Sequence, residues 1–168
     1  INIKSKKKMS NFQKVQEFNT AFGMNRQVPE EQLFDDSPES KSLLKLRLDL
    51  ITEEVDELKE AIETKNFTEI RDALADILYV VYGAADSFAI DADADFAIVH
   101  NSNMSKLCIS EEEARKTVEN YKKMYQEGTS PYDTPYYEKL PNMEKWVIKN
   151  KSTGKALKNI NYNKVKFE

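Results

Sequence analysis

From Leu44 to Phe88 the chain repeats apolar residues at helical steps with almost no interruption. Leu44, Leu48, Ile51, Val55, Leu58 and Ile62 are spaced 4, 3, 4, 3, 4, and Ile70, Leu74, Ile77, Val81, Ala84 and Phe88 repeat that rhythm. Strands alternate with period two, so this pattern commits the segment to two long amphipathic helices. The first is expected at about Lys41–Thr64. Asn66 caps the second, and Glu69 three residues on completes a box-like start. Two long helices joined by so short a turn pack antiparallel. The 168 residues include only four Gly and five Pro, too few turn formers for a many-stranded β fold. The fold class is all-α, a four- to five-helix bundle.

The flanks fit this class. Phe12, Val15, Phe18 and Phe22 predict a helix over about Asn11–Phe22, ended by Gly23. Val28–Ser40, with two prolines and several acids, reads as loop. A further helix is expected at about Ala92–Met104. Ser110-Glu111-Glu112-Glu113 opens another, which carries Ala114, Val118, Tyr121 and Tyr125 inward and stops at Gly128. Thr129–Glu144 contains three prolines and reads as irregular. Lys145–Lys149 has strand character, and Lys155–Lys158 is its expected partner in a small C-terminal β-hairpin. Trp146, Tyr136 and Tyr137 are expected to cover the core or an interface, or to form a lid. The organisation is then a flexible basic segment at 1–10, a helical catalytic domain at 11–128 and a basic extension at 129–168. Ile1–Lys8 has four lysines but no apolar stretch behind it, so it is not a signal peptide, and Met9 is a candidate natural start.

Charge and cysteine usage narrow the function. A net charge of −4 gives no general attraction to nucleic acid or to an anionic membrane. The lone Cys108 cannot form an internal disulfide, which points to a reducing, cytoplasmic setting. No apolar run approaches the ~20 residues of a membrane span.

The informative anomaly is a second stripe on each central helix. On the first it holds Leu43, Leu50, Glu54, Glu57 and Ala61; on the second Glu69, Asp72, Ala73, Asp76, Val80 and Gly83. Both stripes are apolar or small at the ends and acidic in the middle, and Glu53 lies a little farther round. Antiparallel packing sets the two acidic patches face to face. Uncompensated carboxylates in one cleft repel each other and shift toward protonation. A hard divalent cation with oxygen ligands, Mg²⁺ or in substitution Mn²⁺, removes the conflict. The competing reading is a solvated acidic face balanced by Lys59, Lys65 and Arg71. A di-iron carboxylate site needs a Glu-x-x-His motif on two helices. The only histidine is His100, preceded three residues earlier by Ala97, so that site cannot be built. One Cys and one His exclude structural zinc as well.

Glu53-Glu54-Val55-Asp56-Glu57 followed by Asp72-Ala73-Leu74-Ala75-Asp76 resembles the EExxE…ExxD pattern of the all-α nucleoside triphosphate pyrophosphohydrolases. These comprise the MazG-type, dCTPase-like, dimeric dUTPase-like and phosphoribosyl-ATP pyrophosphohydrolase-like enzymes. Val99-His100-Asn101-Ser102-Asn103-Met104-Ser105-Lys106 is similar to the H-x-S-N-M-S-K segment of the last branch, found in bacteria, phages and large DNA viruses. The resemblance covers about Asn11–Tyr125. It departs at Ala73, where the pattern has Glu; Asp72, or Glu69, would supply the displaced ligand.

The resemblance implies a MazG-like bundle that hydrolyses a nucleoside triphosphate between its α and β phosphates, giving a monophosphate and pyrophosphate. It implies Glu54, Glu57, Asp72 and Asp76 as Mg²⁺ ligands, with Glu53 orienting or deprotonating the attacking water. Lys106 and Asn103 would meet phosphate or sugar. Asn19 and Phe22 match base-contacting positions, although the place of Phe22 in an apolar stripe also reads as core. His100 reads as a satisfied core or interface residue. A pyrimidine such as dUTP or dCTP is the first expectation for substrate, phosphoribosyl-ATP the second. A non-catalytic acidic helical protein docking a basic partner is the non-enzyme alternative. Central helices with two apolar flanks cannot bury both inside one small bundle, so a homodimer or dimer of dimers is expected.

Overall fold

A computed structural model describes residues 8–167. It contains α1 (Asn11–Ala21), α2 (Glu30–Leu33), α3 (Pro38–Glu63), α4 (Phe67–Ser87), α5 (Ala92–Met104) and α6 (Glu111–Gln126). Two strands follow, β1 (Pro135–Lys139) and β2 (Trp146–Asn150). This is the all-α class with a small C-terminal hairpin. The expected basic segment at 1–10 falls largely outside the described residues. No single described helix is long and apolar enough to cross a membrane.

Local chemistry sets the helix ends. The Ser10 hydroxyl accepts from Gln13 N–H while the Gln13 side chain accepts from Ser10 N–H, a reciprocal capping box. Ser37 caps α3, with Pro38 in the first turn, where its missing N–H costs nothing. The loop expected over Val28–Ser40 is therefore shorter, and holds the single turn α2; the prolines there start helices rather than break them. Asn66 caps α4 by accepting from Glu69 N–H. Between α3 and α4 Lys65 N–H donates to Ile62 and Asn66 N–H to Ala61. That is the paired closure of a Schellman turn, and it holds Lys65 at φ +55°, a left-handed position without glycine.

The chain divides into two compact units, Ile1–Asp95 and Phe96–Glu168. In the first, α4 packs against α1 and along α3. Phe12 and Val15 of α1 are buried, and the rings of Phe12 and Tyr82 lie 6.0 Å apart. Ala61, Ala73, Gly83 and Ala84 are buried on the long helices. Small residues there let the backbones approach.

The second unit has its own core of Cys108, Ala114, Val118, Ile148 and Leu157, with Tyr121, Tyr132, Tyr137 and Trp146 packed on it. Packing thus joins α6 to the hairpin, and the division falls at Asp95 rather than at the expected boundary near Thr129. Tyr125 points outward instead of inward. The hairpin also differs from expectation. β2 pairs antiparallel with β1, with Tyr137 opposite Ile148, while Lys155–Lys158 meets β2 only at the Lys149–Ala156 bridge. Pro135 disguised β1: proline is tolerated as the first residue of a strand, and Tyr136 and Tyr137 then carry the β preference.

Candidate active site on the paired acidic helices

The register of α3 and α4 follows from two observations. An added Cβ on Gly83 would meet Arg47 Nη1 at 3.3 Å. Seven residues farther along α3 and seven back along α4, the charge of Asp76 acts on Glu54. Early α3 therefore meets late α4, and the helices are antiparallel. Seven residues are two helical turns, so Arg47 and Glu54 share one face of α3, as Asp76 and Gly83 share one face of α4.

At the Glu54 level the charges of the anticipated acids act on one another. Glu54 and Asp76 are half-buried, whereas Glu53, Glu57 and Asp72 are exposed. Burial pushes the Glu54 carboxyl up, and the neighbouring charges of Glu57, Asp76, Glu53 and Asp72 push it further. Among the described residues no cation forms an ion pair with any of these five. Lys59 is taken by Asp56 at 2.6 Å, and neither Lys65 nor Arg71 makes an ion pair. Direct balancing of these five acids by Lys59, Lys65 or Arg71 is therefore not seen, although Glu53, Glu57 and Asp72 are open to solvent.

Ala73 is buried, while Asp72 is one of the charges acting on Glu54. Glu69 is not among them; it lines a cavity of about 620 Å³ with Glu57 and Glu60 near the α3–α4 turn. Among the described residues no three acidic, histidine or cysteine side chains are gathered closely enough to hold an ion as they stand. The donors are all hard oxygens, the set that suits Mg²⁺ or Mn²⁺.

A second polar centre lies in the same unit and was not anticipated. Asp86 is 3% exposed. Its carboxylate accepts from Asn19 Nδ2 at 2.7 Å, Gln16 Nε2 at 3.1 Å and Gln27 Nε2 at 3.0 Å. Burial pushes this carboxyl up, but those three bonds and the field of Arg47 hold it below the usual carboxylate range. Arg47 faces Asp86 electrostatically without an ion-pair contact, and burial lowers its guanidinium pKa against that attraction. Its Nε is buried with no hydrogen-bond partner. An unmatched buried donor of this kind costs about 1–3 kcal/mol. A clue was present in the sequence: Arg47 sits on the Leu43–Leu50–Glu54 stripe, where an arginine is out of place unless something uses it.

The remaining candidates take varied positions. Asn19 is buried with its amide nitrogen held by Asp86, so it serves the polar centre. Phe22 is 67% exposed and stacks on Phe18 at 4.4 Å between centroids. The core reading of Phe22 fails because α1 ends at Ala21, and the cap residue leaves the helical stripe. In the second unit Lys106 Nζ donates to Asn103 Oδ1 at 2.7 Å. His100 is exposed, so it is not a core residue of this chain.

The family described as phosphoribosyl-ATP pyrophosphohydrolase matches this chain over residues 15–103. That range holds all five acids, Asn19, Phe22, Arg47, Asp86 and Asn103. An uncharacterized protein of Acanthamoeba polyphaga mimivirus is 30% identical, over 90% of this chain and 91% of its own length.

Proposed function

Because the chain belongs to the phosphoribosyl-ATP pyrophosphohydrolase family, we propose that it is a Mg²⁺-dependent nucleoside triphosphate pyrophosphohydrolase. Its products are a nucleoside monophosphate and pyrophosphate, and its favoured substrate is a pyrimidine (deoxy)nucleotide such as dUTP or dCTP. The observation that carries the reading is Glu54, half-buried between two helices and beset by four further carboxylates, with no ion pair to any of them among the described residues. Such an arrangement costs stability in the free protein, and it has a use only when positive charge arrives.

Glu54, Glu57, Asp72 and Asp76 are the side chains that would hold the ion. When bound, Mg²⁺ supplies the charge that lets a polyphosphate approach an acidic groove, and it polarises the attacked phosphorus. Glu53, exposed at the edge of the group, orients the water and takes its proton as the new P–O bond forms. The bond between the bridging oxygen and phosphorus breaks, and pyrophosphate leaves with the electron pair. Asn103 and Lys106 are candidates for phosphate contact on the strength of the N-M-S-K segment.

The same reading includes self-association. Leu48, Ile62, Leu74, Leu78 and Val81 on α3 and α4 are each more than 40% exposed. A lone soluble chain rarely leaves so much apolar helix surface in water, and a second copy offers the matching face.

The test is pyrophosphate release measured over a panel of NTPs, dNTPs and phosphoribosyl-ATP, with and without Mg²⁺. Mg²⁺-dependent release, fastest with dUTP or dCTP, is the expected outcome. The family description itself favours phosphoribosyl-ATP as the second candidate, and fastest release from it would replace the pyrimidine. Silence across the panel would leave an acidic binding protein.

A further inference from the structure

We infer that Arg47 is a specificity-determining residue, whose guanidinium reads the carbonyl edge of a one-ring base held between the α1–α3 connection and α4. The inference deepens the hydrolase reading and rests on it for the identity of the ligand as a nucleotide.

Three observations converge on Arg47. The first is its unmet bonding. Its Nε is buried without an acceptor, and the side chain makes no ion pair among the described residues. Asp86, the carboxylate whose field reaches it, is already engaged by Asn19, Gln16 and Gln27. A guanidinium has five donors and no acceptor, so what it lacks is a group rich in lone pairs.

The second is the pocket it closes. Met24, Val28 and Leu43 give this pocket apolar walls, Ser40 and Ser87 give it polar ones, and Arg47 shares it with the charged Arg26 and Glu39, neither of which pairs with it. Ser40 donates its hydroxyl to the Gln32 carbonyl at 2.7 Å. The pocket volume is about 110 Å³. A cavity of roughly 150 Å³ accepts one benzene ring; this smaller space has no room for two fused rings and would take a single six-membered ring only in part, the rest standing in its mouth. Uracil and cytosine offer a ring carbonyl to an arginine donor. Adenine sets a donor beside its acceptor on the edge that arginine would read, and both purines exceed the space.

The third is register. Arg47 lies two turns before Glu54 on the same face of α3, about 10 Å along the axis. Gly83 lies two turns after Asp76 on α4 and makes room for Nη1. A nucleotide with its phosphates at the Glu54 level can extend its base along this groove toward Arg47.

The test is calorimetric binding of dUMP, dCMP, dAMP and dGMP to the full chain, without turnover. Wild type is expected to bind the two pyrimidine nucleotides at least about tenfold tighter than the purine ones, the discrimination one good arginine–base contact supplies. Arg47→Lys keeps a positive charge near Asp86 but loses the planar fork, and it should reduce that ratio to about threefold or less. Gly83→Ala presses on Nη1 without removing it, should erode the same ratio, and decides the matter if Arg47→Lys does not fold. Equal binding of all four nucleotides by wild type, no binding of any, or undiminished selectivity in the folded variants overturns the inference. Arg47-dependent pyrimidine binding without pyrophosphate release would instead refute the hydrolase reading and leave the base pocket standing.

Discussion

Replacing Asp86 with Asn should be among the most damaging isosteric changes in the first unit. The substitution keeps shape and volume but removes the charge and turns an NH₂ group toward side chains that are themselves donors. In wild type three amides donate to this carboxylate, at 2.7, 3.0 and 3.1 Å, in a site that is 3% exposed. Hydrogen bonds to a charged group contribute about 1.5–3 kcal/mol each. Asn can still accept the two glutamine bonds on Oδ1, now without the charge, but it sets an NH₂ against the Asn19 amide, and the loss also leaves the half-buried Arg47 without its counter-charge. These contributions are coupled, so the expected cost is about 3–5 kcal/mol, the usual range for removing one partner of a buried charged pair. For a chain of 168 residues that lowers Tm by roughly 6–20 °C.

The assay is urea denaturation followed by helical circular dichroism, from pH 2.5 to 8. Because Asp86 titrates below its unfolded value, its contribution is fully present above about pH 4 and is lost as pH falls through the folded pKa. The difference between wild type and Asp86→Asn should therefore be largest at neutral pH and shrink in acid. A neutral-pH difference under about 0.5 kcal/mol, within the ordinary scatter of surface substitutions, would refute the description of this polar centre.

Glu54→Gln should act in the opposite direction. The folded pKa of Glu54 is raised, so whatever stability it provides is present below its unfolded value near 4.5 and is lost as pH rises through the folded value. Removing the charge should thus stabilise the metal-free protein at neutral pH by about 1–2 kcal/mol, from roughly 0.5 for each of four solvent-screened neighbours. Thermal melts in chelator at pH 7 and pH 4 check both the sign and its disappearance in acid. Lys65→Gly should add about 1 kcal/mol by relieving the left-handed position between α3 and α4, read in the same melts. Cys108 is fully buried and its thiol is pushed up by burial, so iodoacetamide should label it only when the chain is denatured, as mass spectrometry would show.

Helices and their ends were legible because their causes are local. The 4, 3, 4, 3, 4 rhythm fixed α3 and α4, and Asn66, Ser110, Gly23 and Gly128 stand where caps and stops belong. The acidic stripes could be read for the same reason, as carboxylates beside the apolar stripe, but how closely their side chains gather could not: no three of them stand close enough to hold an ion among the described residues. What the rhythm does not reveal is which flank meets a neighbour. Leu48 and Ile62 belong to the most regular stripe of the chain yet are 65% and 56% exposed, while the small residues of the mixed stripe, Ala61, Ala73 and Gly83, are buried. Close approach of two backbones selected the small residues for the contact, and hydropathy is blind to that. Long-range pairing escaped in the same way. Nothing near Asp86 in sequence marks Gln16, Asn19 and Gln27 as its partners, and Pro135 concealed the strand that pairs with β2.

The most direct measurement is Mg²⁺-dependent pyrophosphate release by wild type, Glu57→Ala and Asp76→Ala, with Mg²⁺ affinity measured by calorimetry on the same three samples. Wild type should bind the ion and release pyrophosphate from a pyrimidine nucleoside triphosphate, and each variant should lose both while keeping its helical circular dichroism. A folded variant that binds Mg²⁺ and turns over as wild type does would contradict the assignment of the α3–α4 carboxylates as the seat of the chemistry.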